Sequence, residues 1–93
     1  MVTRPLAYRV PFQLDREPAR HLYRLTNTSI ETVHGVTFTL HGAGIMAISP
    51  PRAVRPQHGI EVTIAGRDLA ANTILVIRWF RPSGVEYLWR VAF

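Results

Sequence analysis

The chain of 93 residues contains no cysteine, which excludes a disulfide scaffold and a thiolate metal site. It also lacks an apolar run long enough to span a bilayer. The first residues, Met1 to Leu6, have neither the apolar core nor the small-residue cleavage site of a secretory signal. We therefore expect a soluble, globular protein without membrane association, and a cytoplasmic one if Met1 is the native start.

Lysine is absent as well, so all 11 basic residues are arginine and the formal net charge is +5. The guanidinium group binds phosphate and carboxylate in a fork geometry, which makes an acidic partner a candidate. The arginines are nevertheless spread along the chain, and a genome rich in arginine codons would give the same count. Binding of nucleic acid or another polyanion through Arg24, Arg78 and Arg90, with exposed aromatic rings for stacking, is therefore an alternative function.

Residues with catalytic or metal-binding chemistry do not form a recognisable pattern. The three serines, Ser29, Ser49 and Ser83, lie in predicted turns or at strand ends, outside any Gly-x-Ser-x-Gly setting. The carboxylates are scattered, and the four histidines are all at least seven residues apart, whereas zinc sites usually draw two ligands from close positions. We predict no catalytic residue, no cofactor and no metal site, and hence a protein that is not an enzyme.

The strongest structural pattern is a β-hairpin over residues 73–93. Pro82 favours the second position of a type I turn, and Gly84 can adopt the left-handed conformation that closes a three-residue loop with a bulge. This turn places Arg81 opposite Val85, and Trp79 therefore opposite Tyr87. One face of the hairpin is then almost entirely apolar and contains both tryptophans, so we expect it to be covered by the rest of the chain.

Shorter stretches of alternating apolar and polar residues predict five more strands. They are Leu6 to Phe12, His21 to Asn27, Glu31 to His41 with a bulge near Gly35, Ile45 to Ile48, and Ile60 to Ile64. Between them we predict a loop at Gln13 to Arg20, a turn at Asn27 to Ser29, a loop or irregular edge at Arg52 to Gly59, and one helical turn at Leu69 to Ala71. Asn27-Thr28-Ser29 is also an N-glycosylation acceptor sequence.

Seven short strands separated by turn signals indicate an all-β fold, a seven-stranded antiparallel β-sandwich made of one domain over residues 1–93. A small β-barrel is the alternative architecture. Burial of the large apolar side chains, each worth about 1.5 to 3 kcal/mol, would make such a domain stable without a metal or a disulfide.

Three segments resemble part of a known superfamily. The runs Tyr23 to Ser29, Val36 to Leu40 and Val54 to Ile64 are similar to the B-to-E portion of bacterial immunoglobulin-like and fibronectin type III-like modules. Those modules often carry an Asn-containing turn after strand B and a Pro-Gly corner before strand E, although here Gln57 and His58 separate the proline from the glycine. The resemblance covers about half the chain, implies an immunoglobulin-like sandwich and transfers no functional residue.

The second face of the hairpin is less polar than a solvated strand face usually is. It carries the candidate partner surface Ile74, Val76, Arg78, Phe80, Leu88 and Arg90. We predict that this surface binds another protein or a second copy of the chain, with a C2 dimer as the simplest symmetric result. Two alternatives need no partner: a loop such as Arg52 to Gly59 covers part of this surface, or its apolar residues are isolated ones of the kind that is normal on protein surfaces. Carbohydrate binding ranks lower, because the predicted register buries Trp79, Tyr87 and Trp89.

Overall fold

A computed structural model describes residues 8–16, 21–47 and 50–93 of the chain. Its elements are β1 (Phe12–Arg16), β2 (Leu22–Asn27), β3 (Val33–Gly42), β4 (Ile45–Met46), β5 (Arg52–Val54), β6 (Gly59–Ala65), α1 (Leu69–Asn72), β7 (Thr73–Phe80) and β8 (Glu86–Ala92). The strands form two antiparallel sheets of four, in the orders β1-β2-β6-β4 and β5-β3-β7-β8. The prediction of an all-β fold is confirmed. The alternative of a small barrel is wrong, because the two sheets do not close on each other.

The hydrophobic core takes alternate residues from both sheets, as period-2 strands with one buried face require. Its buried members are Phe12, Tyr23, Leu25, Val33, Val36, Val54, Ile60, Val62, Ile64, Leu75, Ile77, Trp79 and Val91. Trp79 is the largest fully buried side chain, with 1% of its surface exposed. Its ring meets Phe12 edge-on at a centroid distance of 4.9 Å, which joins the hairpin to the first strand of the other sheet.

The hairpin register is confirmed. Trp79 faces Tyr87 and Ile77 faces Trp89 across β7 and β8. In the turn, the Gly84 N–H donates to the Arg81 carbonyl at 2.8 Å, and Gly84 has a φ of 87°, which favours glycine. The predictions for β2, β3, β6 and the helical turn also hold to within a few residues, including the bulge at Gly35.

The first strand differs from its prediction. We expected a strand from Leu6 to Phe12 and a loop from Gln13 to Arg20, whereas β1 begins at Phe12 and ends at Arg16. Leu14 faces Leu25 across β1 and β2, so this polar stretch still alternates around one inward apolar side chain. The expectation failed because the exposed positions of an edge strand are polar, as in a loop. Residues 1–7 and 17–20 lie outside the described residues.

A further strand occurs where a loop or irregular edge was predicted. Arg52–Val54 forms β5 and pairs with β3, so that buried Val54 lies opposite buried Val33. The described part of the chain therefore contains eight strands, where the sequence predicted seven. Strand β4 is shorter than predicted, and Ile48 and Ser49 lie outside the described residues. No helix among the described residues is long and apolar enough to cross a membrane.

Candidate functional site

The outer face, defined here as the side of β7 and β8 turned away from the core, carries all six predicted partner-surface residues. Thr73, Leu75, Ile77 and Trp79 of β7 are buried, and the residues between them point outward. The register places Val76 opposite Arg90 and Arg78 opposite Leu88. Leu88 is 60% exposed and Ile74 is 40% exposed, the two arginines are exposed, and Val76 and Phe80 are half-buried. The structure thus brings the predicted residues onto one surface.

Strand β3 borders the outer face on one side with polar residues. Thr37, Thr39 and His41 lie opposite Arg78, Val76 and Ile74 respectively. On the other side β8 is the last strand of its sheet. The apolar part of the outer face is therefore a stripe between a polar margin and a sheet edge.

Arg78 is held over the outer face by two contacts. Its Nε atom lies 3.9 Å from Oε2 of Glu86, and its guanidinium lies 5.6 Å from the centroid of the Phe80 ring. Because both charged side chains are about half exposed, the ion pair contributes about 0 to 1 kcal/mol. Arg90 forms no ion pair with any described residue.

Phe80 is positioned by the bulge in β3. The register between β3 and β7 shifts between His34 and Thr37, and Gly35 within this shift has a φ of 56°. A Cβ atom at Gly35 would lie 3.0 Å from Cδ2 of the Phe80 ring. The ring therefore lies against backbone that only glycine leaves open, which explains why Phe80 is half-buried on an otherwise exposed face.

The segment Arg52 to Gly59 does not cover the outer face. Its first part, β5, extends the same sheet beyond β3, on the side away from β8. Its second part contacts the opposite sheet, because the Gln57 N–H donates to the Asn27 carbonyl and the Asn27 N–H donates to the His58 carbonyl. The alternative that this segment covers part of the outer face is wrong.

The arginines of the polyanion alternative are divided between the two sheets. Arg24 lies on β2 and donates from Nε to Oε1 of Glu61 at 3.1 Å, whereas Arg78 and Arg90 lie on the hairpin. Of the aromatic rings in the carbohydrate alternative, Trp79 is buried, and Tyr87 and Trp89 pack half-buried against the core. Among the described residues, no three His, Cys, Asp or Glu side chains gather where they could hold a metal ion.

Sequence reasoning missed a cluster at the turn end of the hairpin. Arg81 lies over the Tyr8 ring, 4.2 Å from its centroid, and binds the Glu31 carboxylate. The neighbouring Ile30 is 95% exposed, and Val85 in the hairpin loop is also exposed. The available signal was an isoleucine placed inside a polar turn, between Ser29 and Glu31.

No protein-family model, curated protein or solved structure matches the chain. The geometry of the outer face is therefore the basis for a functional proposal. That face offers an apolar stripe beside exposed guanidinium groups, a combination found in protein–protein interfaces.

Proposed function

We propose that the protein is a non-enzymatic interaction module that buries its outer face against another protein or a second copy of itself. The observation that carries this proposal is the exposure of Ile74 and Leu88 beside half-buried Val76 and Phe80, on the face of a sheet whose opposite side already forms the core. A contiguous apolar surface of this kind marks an interaction site more often than a solvated face does.

The arginines of the outer face give the proposed interface its polar contacts. Among the described residues Arg90 has no ion-pair partner, and Arg78 has one, Glu86, at 3.9 Å. Arginine is enriched at interface hot spots because its stem packs on apolar groups while its donors bind carboxylates or carbonyls. The apolar stripe would supply affinity, and the two arginines would fix the orientation of the partner.

The strand order supports an immunoglobulin-like arrangement, which we include in the proposal. Immunoglobulin domains place strands A, B, E and D in one sheet and C, F and G in the other. The orders β1-β2-β6-β4 and β3-β7-β8 correspond to these sheets, with β5 added at the edge beside β3. The outer face then belongs to the C-F-G sheet. This chain differs in that the added strand follows β4 in sequence.

The proposal is tested by measuring self-association of the wild-type chain and of Ile74→Glu by sedimentation velocity over a concentration series. Ile74→Glu places a charge on the apolar stripe and should weaken association at least about tenfold, the effect expected for an interface hot spot. Thr63→Glu is the matched control, because Thr63 is an exposed strand residue on the outside of the other sheet.

A wild-type chain that stays monomeric at high concentration, unchanged by Ile74→Glu, would contradict self-association through the outer face. An equal loss of association in Thr63→Glu would show a general charge effect. Titration with a single-stranded oligonucleotide addresses the polyanion alternative: tight binding that falls steeply with salt and is lost in Arg24→Gln would favour that function.

A further inference from the structure

The open edge of β8, defined here as the side of Glu86–Ala92 away from β7, has an arrangement of its own. β8 ends its sheet, and no described residue forms a backbone hydrogen bond with this edge. Unpaired strand edges recruit further strands unless something blocks them.

The hairpin bonding pattern identifies those groups. The Arg81 N–H donates to the Val85 carbonyl at 3.0 Å, so these residues form a hydrogen-bonded pair. Bonded and non-bonded pairs alternate along an antiparallel ladder, so Tyr87, Trp89 and Val91 bond to β7. The residues whose backbone N–H and C=O groups point to the open edge are Glu86, Leu88, Arg90 and Ala92.

One side chain supports this assignment and marks where the open edge ends. Nη2 of Arg16, on β1 of the other sheet, donates to the Ala92 carbonyl at 2.7 Å. That carbonyl therefore points away from β7, as the alternation requires. With Arg16 at one end and the turn at Gly84 at the other, the stretch that no described residue pairs is Glu86 to Arg90.

We propose that this stretch pairs antiparallel with the same stretch of a second copy, about a two-fold axis through Leu88. Leu88 then faces Leu88 of the second copy, and Glu86 faces Arg90 of the second copy on both sides of the axis. These three bonded pairs would exchange about six backbone hydrogen bonds and join the two sheets into one. On the core side of the joined sheet, Tyr87 of each copy lies opposite Trp89 of the other copy, which forms an aromatic cross-strand pair.

Charge complementarity selects this register over its neighbours. Moving the axis to Glu86 would place two carboxylates opposite each other, and moving it to Arg90 would oppose two guanidinium groups, both of which are destabilising. An axis through Tyr87 or Trp89 leaves Glu86 and Arg90 without an opposite charge across the strands. Only the axis at Leu88 pairs both charges, which is why a second copy of the chain fits this edge.

This inference rests on the proposed interaction function and names the partner, but it uses the strand edge where the proposed function uses the outer face. The two interfaces share Leu88 and Arg90, whereas Ile74 lies on β7, away from the edge. Variants at Ile74, which is in the outer face alone, and at Glu86, which is in the edge pairing alone, therefore separate the two interfaces.

Because the chain has no cysteine, single cysteine variants report the register directly. Facing residues of a bonded pair have Cα atoms about 5.5 Å apart, within the range for a disulfide. Leu88→Cys should therefore form a disulfide-linked dimer under mild oxidation. Arg90→Cys alone should not, because its two copies lie about 13 Å apart, four residues along the strand. A mixture of Glu86→Cys and Arg90→Cys should give the heterodimer.

A charge exchange tests the cross-strand pairs independently. Glu86→Arg and Arg90→Glu should each weaken self-association at least about fivefold, because like charges then face each other on both sides of the axis. An equimolar mixture should restore it, because in the mixed dimer both facing pairs again combine opposite charges.

Leu88→Pro tests the backbone bonds. The Leu88 N–H points to the open edge, so proline removes no bond to β7 and the hairpin should fold as before. Self-association should fall at least about tenfold while the circular dichroism spectrum is kept. If Leu88→Cys is crosslinked no faster than Thr63→Cys and Leu88→Pro associates like the wild type, edge pairing is wrong. Association that is lost in Ile74→Glu but kept in Leu88→Pro would reject the edge and leave the outer face as the interface.

Discussion

Arg81 binds Glu31 through two charge-assisted hydrogen bonds, from Nε to Oε1 at 3.0 Å and from Nη2 to Oε2 at 3.1 Å. The two residues are 50 positions apart, so the pair ties the hairpin turn to the connection between β2 and β3. The same guanidinium lies over the Tyr8 ring. Three distant parts of the chain therefore meet at one side chain.

Arg81→Met should lower the melting temperature more than Arg24→Met does. Arg24 also binds a glutamate, Glu61, but that pair is half exposed and contributes about 1 kcal/mol at most. The Arg81 pair has two parallel bonds and is less exposed. Thermal unfolding followed by circular dichroism gives the comparison, and equal effects of the two substitutions would show that Arg81 is only another surface ion pair.

The stability that Arg81 contributes through its own charge should not change between about pH 6 and pH 9, well below the ordinary arginine pKa. A hydrogen bond with Tyr87 and the Glu31 carboxylate raise the pKa of Arg81. A raised pKa in the folded state gives stability that is complete below the unfolded pKa and is lost only as the pH rises through the folded value. The difference in melting temperature between Arg81→Met and the wild type, measured across this range, should stay constant.

Asn27 is fully buried and uses both ends of its amide. Its Nδ2 donates to the carbonyls of Glu31 and Val54, and its Oδ1 accepts from the Ser29 N–H and hydroxyl. Asn27→Ala leaves several of these groups without a partner and should cost about 2 to 5 kcal/mol of unfolding free energy. Thr28→Ala removes one hydrogen bond, from the Thr28 hydroxyl to the Pro11 carbonyl at 3.3 Å, and should cost only about 1 kcal/mol. Chemical denaturation of both variants tests the contrast, and similar midpoints would contradict this role for Asn27.

Asn27 also shows which contacts could be predicted from the sequence alone and which could not. The turn was predictable, because Asn and Ser bond their own backbone, and the Ser29 N–H to Asn27 contact is such a bond. The hydrogen bond from Asn27 to the Val54 carbonyl was not predictable, because it joins positions 27 residues apart. The residue that reads as a glycosylation acceptor is a buried structural amide whose nitrogen is engaged in two hydrogen bonds.

The candidate site shows the same difference between features set by neighbouring residues in the sequence and features set by residues far apart in it. The residues of the outer face followed from the turn at Pro82 and the alternation of β7 and β8, both local signals. The borders of the outer face could not be predicted in this way, because they depend on which strands lie beside the hairpin. The edge strands β1 and β5 were the hardest to predict, since polar residues on an edge strand look like a loop.

Gly35→Asn should destabilise the protein more than Gly84→Asn. Both glycines have positive φ, 56° and 87°, and asparagine is the side chain that best tolerates this region. At Gly84 an added Cβ meets nothing within 4 Å, whereas at Gly35 it meets the Phe80 ring at 3.0 Å. We expect about 1 to 3 kcal/mol for Gly35→Asn, from overpacking against Phe80, and less than 1 kcal/mol for Gly84→Asn. Denaturant midpoints measure the difference, and reversal of this order would show that the bulge does not constrain Phe80.

Arg16→Met should not increase self-association. In the folded chain the Arg16 side chain binds the Ala92 carbonyl at 2.7 Å and lies 6.0 Å from the Phe93 ring, so it occupies one end of the open edge of β8. In the proposed dimer Ala92 faces Gly84 of the second copy, whose N–H already donates to the Arg81 carbonyl in the hairpin turn. The Ala92 carbonyl released by the substitution therefore meets no free donor on the pairing strand. Arg24→Met is the control for loss of charge, because Arg24 lies on the same sheet without reaching this edge. Light scattering over a concentration series compares the two variants, and a rise in Arg16→Met alone would show that pairing extends beyond Arg90 and would contradict the proposed stretch Glu86 to Arg90.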